Sequence, residues 1–166
     1  MSDWPEYKIN CPWDYEALKR ADKRKAVTLV WRAATRIVAE WEVKEGLILD
    51  PLFLVKCWLK GQLEGDDALK ALEWAAWATE KAQFQRGQVY WAEIAEAAAF
   101  GALLIACAEM GGSSKEVASL ESNWDDWIEC VEWTLNDDDG MFRYLNITPA
   151  EREQEAADFR ELIGEG

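Results

Sequence analysis

Histidine is absent from the 166 residues, and that absence excludes more than any other feature of the chain. It removes the usual general base, the commonest metal ligand and every Ser–His or Cys–His nucleophile together. Cysteine is sparse. Cys11, Cys57, Cys107 and Cys130 lie far apart, no two form a C-x-x-C pair, and three fall inside helical patterns, so they read as reduced, mostly packed thiols. The apolar/polar alternation that marks strands is nearly missing. No run of 18 or more apolar residues occurs, and MSDWPEYKIN has neither a charged n-region nor an apolar h-region, so the expectation is a soluble, cytoplasmic protein. There is no exact internal repeat and no low-complexity tract.

What the chain has is tryptophan and carboxylate. Half of its residues are apolar and 11 are Trp, which is ample material for the core of one globular domain over residues 1–166. The net charge of −14 is unevenly placed. Residues 1–60 hold 11 basic and 9 acidic side chains, residues 61–120 hold 4 and 9, and residues 121–166 hold 3 and 14. Negative charge therefore gathers toward the C-terminal end.

Apolar residues recur at three- and four-residue steps almost throughout, which predicts an all-α bundle of about six to seven helices. Residues 1–12, with Pro5 and Pro12, read as an extended arm, and Asp14 as the cap of a short helix through about Arg20. A helix from Lys23 to about Glu45 carries the stripe Val27, Val30, Trp31, Ala34, Ile37, Val38 and Trp41, with Gly46 as its stop. Asp50–Pro51 predicts a helix start, because Pro is tolerated at the first helical position. Asp66 opens a helix that Gly87 closes. The segment of about 88–110 is apolar nearly all round, as expected of a central helix enclosed by the others, and its small residues allow close contact. Residues 113–166 read as acidic C-terminal helices, the first introduced by Ser113 and Glu116 at capping-box spacing and the last by Thr148, Pro149 and Glu151.

Four constellations bear on function. NDDDG imitates a calcium loop, but aligning Gly140 on its invariant glycine puts Leu135 and Asn146 at positions that need acidic ligands, so neither metal nor cofactor is expected. On a helix from Ser114 to Leu135, one stripe holds Val117, Leu120, Trp124, Trp127, Ile128, Val131 and Leu135. Beside it runs the row Glu121, Asp125, Glu129 and Glu132, with Asp126 facing away and Asp137, Asp138 and Asp139 just beyond. Such a row recurs every ~6 Å, on the order of the phosphate spacing along a nucleic-acid strand, and suits either a solvated face or a basic groove on a partner. Trp133 falls on the polar side, as a covered residue or as an interface anchor. The basic cluster Lys19, Arg20, Lys23, Arg24 and Lys25 is expected to pair within the protein or at a partner, since a chain of this charge is repelled from phosphates. Carboxylate pairs for glycosidase chemistry do not stand out among the 32 acids.

The stretches LVWRAATRIVAEWE, CWLKGQLEGDDALKALEWAAWATEKA and WAEIAEAAAFGALLIACAEMG resemble the all-helical, alanine-rich putative immunity-protein family of bacterial polymorphic toxin systems. The resemblance covers residues 27–110, lacks the histidines of that family's third helix, and leaves residues 114–166 outside. It implies a helical bundle with an inhibitor-like role and assigns no site residues.

The expectation is thus a non-enzymatic acidic inhibitor that blocks a protein with a basic surface, such as a nuclease, a toxin or a CRISPR or restriction component. It would act as an immunity protein or as a phage anti-defence protein, an anti-CRISPR or DNA mimic, with Glu121, Asp125, Asp126, Glu129, Glu132, Trp133, Asp137, Asp138 and Asp139 forming the partner-binding set. It would contact no nucleic acid or membrane directly. The alternative is a helical adaptor or scaffold that binds its partner through an apolar groove.

Overall fold

The computed structural model describes residues 10–86, 89–109, 123–136 and 148–164. Among them 83% are helical and none is in a strand, so the fold is all-α. Seven helices are seen there: α1 Tyr15–Arg20, α2 Lys23–Glu40, α3 Gly46–Leu59, α4 Gly65–Arg86, α5 Tyr90–Glu109, α6 Trp124–Asn136 and α7 Pro149–Leu162.

Side-chain caps start several of them. Asp14 accepts from Ala17 N at 3.1 Å, Asp22 from Lys25 N at 3.1 Å and Thr148 from Glu151 N at 3.1 Å, each satisfying an N–H that the first helical turn leaves open. Pro149 follows Thr148 at the position where a missing N–H costs nothing.

The α2–α3 boundary differs from the sequence expectation. α2 stops at Glu40, five residues before the expected end, and Gly46 begins α3 instead of ending α2. The stop is a Schellman motif: Val43 N donates to Val38 O and Glu42 N to Ala39 O, with Glu42 in the left-handed region at φ 53°. α3 ends with the same two bonds, Gln62 N to Cys57 O and Gly61 N to Trp58 O, but there a glycine takes the left-handed position at φ 75°. Pro51 lies inside α3, not at its start. The turn before it is held both by packing, since Ile48 is fully buried, and locally by Glu45, whose side chain accepts from Leu47 N. Trp41, expected in the buried stripe, is 43% exposed because the helix ends one residue earlier.

α5 is the helix around which the others gather, packing on α2, α3, α4 and α6. Thirteen of its twenty residues are buried, seven of them Ala or Gly, and these small residues let neighbouring backbones come close. It is also long and apolar enough to cross a membrane, which here coincides with its place inside the bundle. The buried apolar side chains form one cluster drawn from the Cys11–Trp13 strap and from α1 to α6.

α7 is attached differently. Its buried residues are Glu151, Arg152, Glu155 and Asp158, all charged. Arg36 of α2 holds Glu151 at 2.9 Å and also bonds Asp158, while Arg32 reaches Asp158 at 3.3 Å and Glu161 at 2.8 Å. Fully buried Glu155 takes Arg152 at 2.6 Å, and Arg152 also donates to Leu135 O at 2.7 Å. Cys11 N donates to Asn136 Oδ1 at 2.7 Å and Trp13 Nε1 to Glu155 O at 3.0 Å, tying the N-terminal strap, the end of α6 and α7 together. Burial and the nearby Glu155 carboxylate push the Cys11 thiol up to about 12, so it stays protonated and unreactive at neutral pH.

Candidate functional site

Position on the helix decides which part of α6 is available to a partner. Trp124, Trp127, Ile128, Val131 and Leu135 are buried, as the stripe predicts. The two tryptophans stack with ring centroids 4.8 Å apart, and Trp127 Nε1 donates to Ala97 O on α5 at 3.0 Å. On the other side, Asp125, Asp126 and Glu129 are exposed and Glu132 is half-buried. Trp133 is 48% exposed. Glu121, Asp137, Asp138 and Asp139, together with the NDDDG loop and the Ser113/Glu116 box, lie outside the described residues.

The acidic row and the basic cluster meet in part. Lys19 bridges Glu129 at 3.3 Å and Glu16 at 3.4 Å, which clamps α1 to α6. Arg24 forms a two-pronged pair with Glu109, both contacts at 3.0 Å, and its guanidinium lies 4.2 Å from the Trp58 ring centroid. Lys23 lies over the Trp124 ring. Much of the N-terminal positive charge is therefore used inside the molecule. Among the described residues, Asp125, Asp126 and Glu132 are in no ion pair.

The fold extends this acidic side onto two further helices. Glu96 of α5 is raised from 4.5 to about 7, first by burial and then by Glu80 of α4 and Glu93 of its own helix. The Cys130 thiol of α6 is raised by burial and then by Asp126, Glu129 and Glu93. Glu93 thus links the two groups, and carboxylates from α4, α5 and α6 share one electrostatic neighbourhood. Beside Glu80, α4 turns large aromatics outward: Trp77 is 51% and Phe84 81% exposed, with Lys81 Nζ 4.9 Å from the Trp77 ring centroid. Trp77, Glu80, Lys81, Phe84 and Gln85 line a shallow hollow.

Glu80, Glu93, Glu96, Trp77 and Phe84 were not singled out from the sequence. A signal was present in α4, where Ala68, Leu72, Ala75 and Ala82 are buried while Trp74, Trp77 and Phe84 are exposed. Alanines inward and aromatics outward reverse the usual ranking. In α5, Glu93 and Glu96 are one helical step apart in an otherwise apolar run.

The carboxylates of α7 belong elsewhere. Glu151, Glu155 and Asp158 face Arg36, Arg152 and Arg32 inside the protein, so the negative charge of the last helix is largely neutralised where it is buried. No protein-family model matches the chain, and neither a curated protein nor a solved structure matches it.

Proposed function

We propose that this protein is a non-enzymatic inhibitor whose acidic, aromatic face on α4, α5 and α6 binds a protein with a basic surface, foremost a nuclease or another protein that grips nucleic acid. The observation that carries the reading is the side of α6 on which Asp125, Asp126 and Glu132, in no ion pair among the described residues, lie with Trp133, itself 48% exposed; α4 adds exposed Trp77 and Phe84. Like charges held together cost stability and are relieved when a cation arrives. Trp is enriched at interface centres, and the carboxylates around it would supply the polar rim and the charge complementarity. The absence of histidine from the chain supports a role without catalysis.

Two biological settings fit. One is an immunity protein of a polymorphic toxin system, in line with the resemblance of residues 27–110. The other is a phage anti-defence protein acting on CRISPR or restriction machinery, where the face would occupy the path of a nucleic-acid strand.

The test compares the wild type with Asp125→Lys/Glu129→Lys and with Trp133→Ala as baits in a bacterial lysate, followed by DNA-cleavage assays on the captured proteins. The expected result is a nuclease held and inhibited by the wild type and released by both variants, with affinity falling steeply as salt rises. Captured proteins without nuclease activity, held equally by all three baits, would refute the reading.

A further inference from the structure

A second surface differs from the acidic face in both composition and charge. α2, the Trp41–Lys44 turn and α3 enclose a groove of about 430 Å³ whose floor and walls include Trp31, Val38, Val43, Leu49, Leu52 and Phe53. Leu49 is 39% and Phe53 61% exposed, although both are large and apolar. A smaller hollow lies on the other side of the same turn, between Trp41 and Trp91. Trp31 is locked in place, its Nε1 donating to Leu52 O at 2.9 Å, so the groove is preformed.

The charged side chains lining the groove are Glu42, Lys44 and Lys56. Among the described residues none of the three is in an ion pair. These three side chains give the groove charges of both signs. Glu42 also holds the left-handed position that α3 gives to Gly61, a conformation that disfavours any residue with a Cβ.

We propose that this groove is a homodimer face, in which two copies meet about a two-fold axis, each placing Phe53 in the other's groove and Glu42 against the other's Lys56. A two-fold interface must be self-complementary, because the same patch serves both subunits. The groove offers what that condition needs: an apolar lining with Phe53 exposed, together with unpaired charges of both signs. A copy docking on the α6 row would instead meet like charge. A partner with a basic surface has no reason to choose a patch that carries two lysines. The groove's lining comes from α2, α3 and their connecting turn alone, so such a dimer leaves the acidic faces of both copies open.

The experiment is sedimentation velocity of the full chain between about 1 and 100 µM, a range that spans micromolar association. A concentration-dependent dimer is expected. Phe53→Asp should weaken it by about tenfold or more, as loss of a central apolar anchor does. Glu42→Lys and Lys56→Glu should each weaken it, and the two together should restore most of the loss, because the swap rebuilds the pair with reversed signs. Circular dichroism on each variant confirms that helicity is kept, which Phe53's exposure favours. A chain that stays monomeric across the range overturns the proposal, as does a dimer indifferent to Phe53→Asp. A charge-swapped pair no better than the worse single variant also overturns it.

Discussion

Trp127 of α6 rests on Gly101 of α5 so closely that a Cβ at Gly101 would come within 2.9 Å of three atoms of its indole ring. The ring cannot move aside easily. It stacks on Trp124 and its Nε1 is bonded to Ala97 O, so three contacts fix it at the one place where α5 has no side chain. This contact sets the distance of α6 from the central helix, and with it the position of the acidic row.

Gly101→Ala should therefore destabilise the protein by about 1–3 kcal/mol despite the better helix propensity of alanine, because overpacking outweighs the gain of up to about 1 kcal/mol. Urea melts measure it, and a variant as stable as the wild type would show that the ring can shift at little cost.

Glu155 and Arg152 are buried against each other under the N-terminal strap. Glu155→Ala removes the carboxylate that Arg152 holds at 2.6 Å in the interior and should cost about 3–5 kcal/mol, whereas Arg152→Met with Glu155→Leu together should cost less than Arg152→Met or Glu155→Leu alone. Denaturant melts of the wild type, the three single variants and the double variant separate the desolvation of the pair from its attraction.

The pH dependence follows from Glu96. Its folded pKa lies at about 7 against 4.5 ordinarily, so between those values the folded protein holds a proton that the unfolded chain has released. Glu96 therefore makes stability fall as pH rises from about 4.5 to 7, and its unfavourable effect is complete above that window. Glu96→Gln should flatten this slope and be the more stable protein at pH 8. A variant less stable than the wild type at pH 8 would reverse the sign and refute the argument.

Trp133→Ala tests the candidate interface. Its ring is 48% exposed, so truncation should cost well under the roughly 3–5 kcal/mol of a buried Trp, while binding to a captured partner should weaken by about 2 kcal/mol or more. Parallel melts and titrations check both. A large loss of stability with unchanged affinity would remove Trp133 from the interface.

Glu42→Gly should raise the stability of the monomer by about 1 kcal/mol, because glycine enters the left-handed region without the Cβ penalty. Melts at low protein concentration measure it apart from self-association.

The helices and their faces were legible in the sequence wherever one short-range rule governed them. The caps Asp14 and Thr148, the central apolar helix and the buried stripe Trp124, Trp127, Ile128, Val131 and Leu135 follow from hydrogen bonds and periods that span a turn or two, which the local sequence contains in full. The outward position of Trp133 follows from the same wheel. The early stop of α2 was not legible, since a glutamate in the left-handed region contradicts the local preference that favoured Gly46.

By itself, then, the sequence determined the all-α class, the enclosed α5 and the side of α6 that bears charge, because these depend on periodicity along one helix. Only the tertiary structure decided which charges remain available. The α7 carboxylates and those of Asp125, Asp126 and Glu132 are alike in the sequence, yet α7's meet Arg32, Arg36 and Arg152 in the interior while the three on α6 are in no ion pair among the described residues. A carboxylate's energy depends on burial and on charges brought near from distant parts of the chain, and no local pattern encodes that distance.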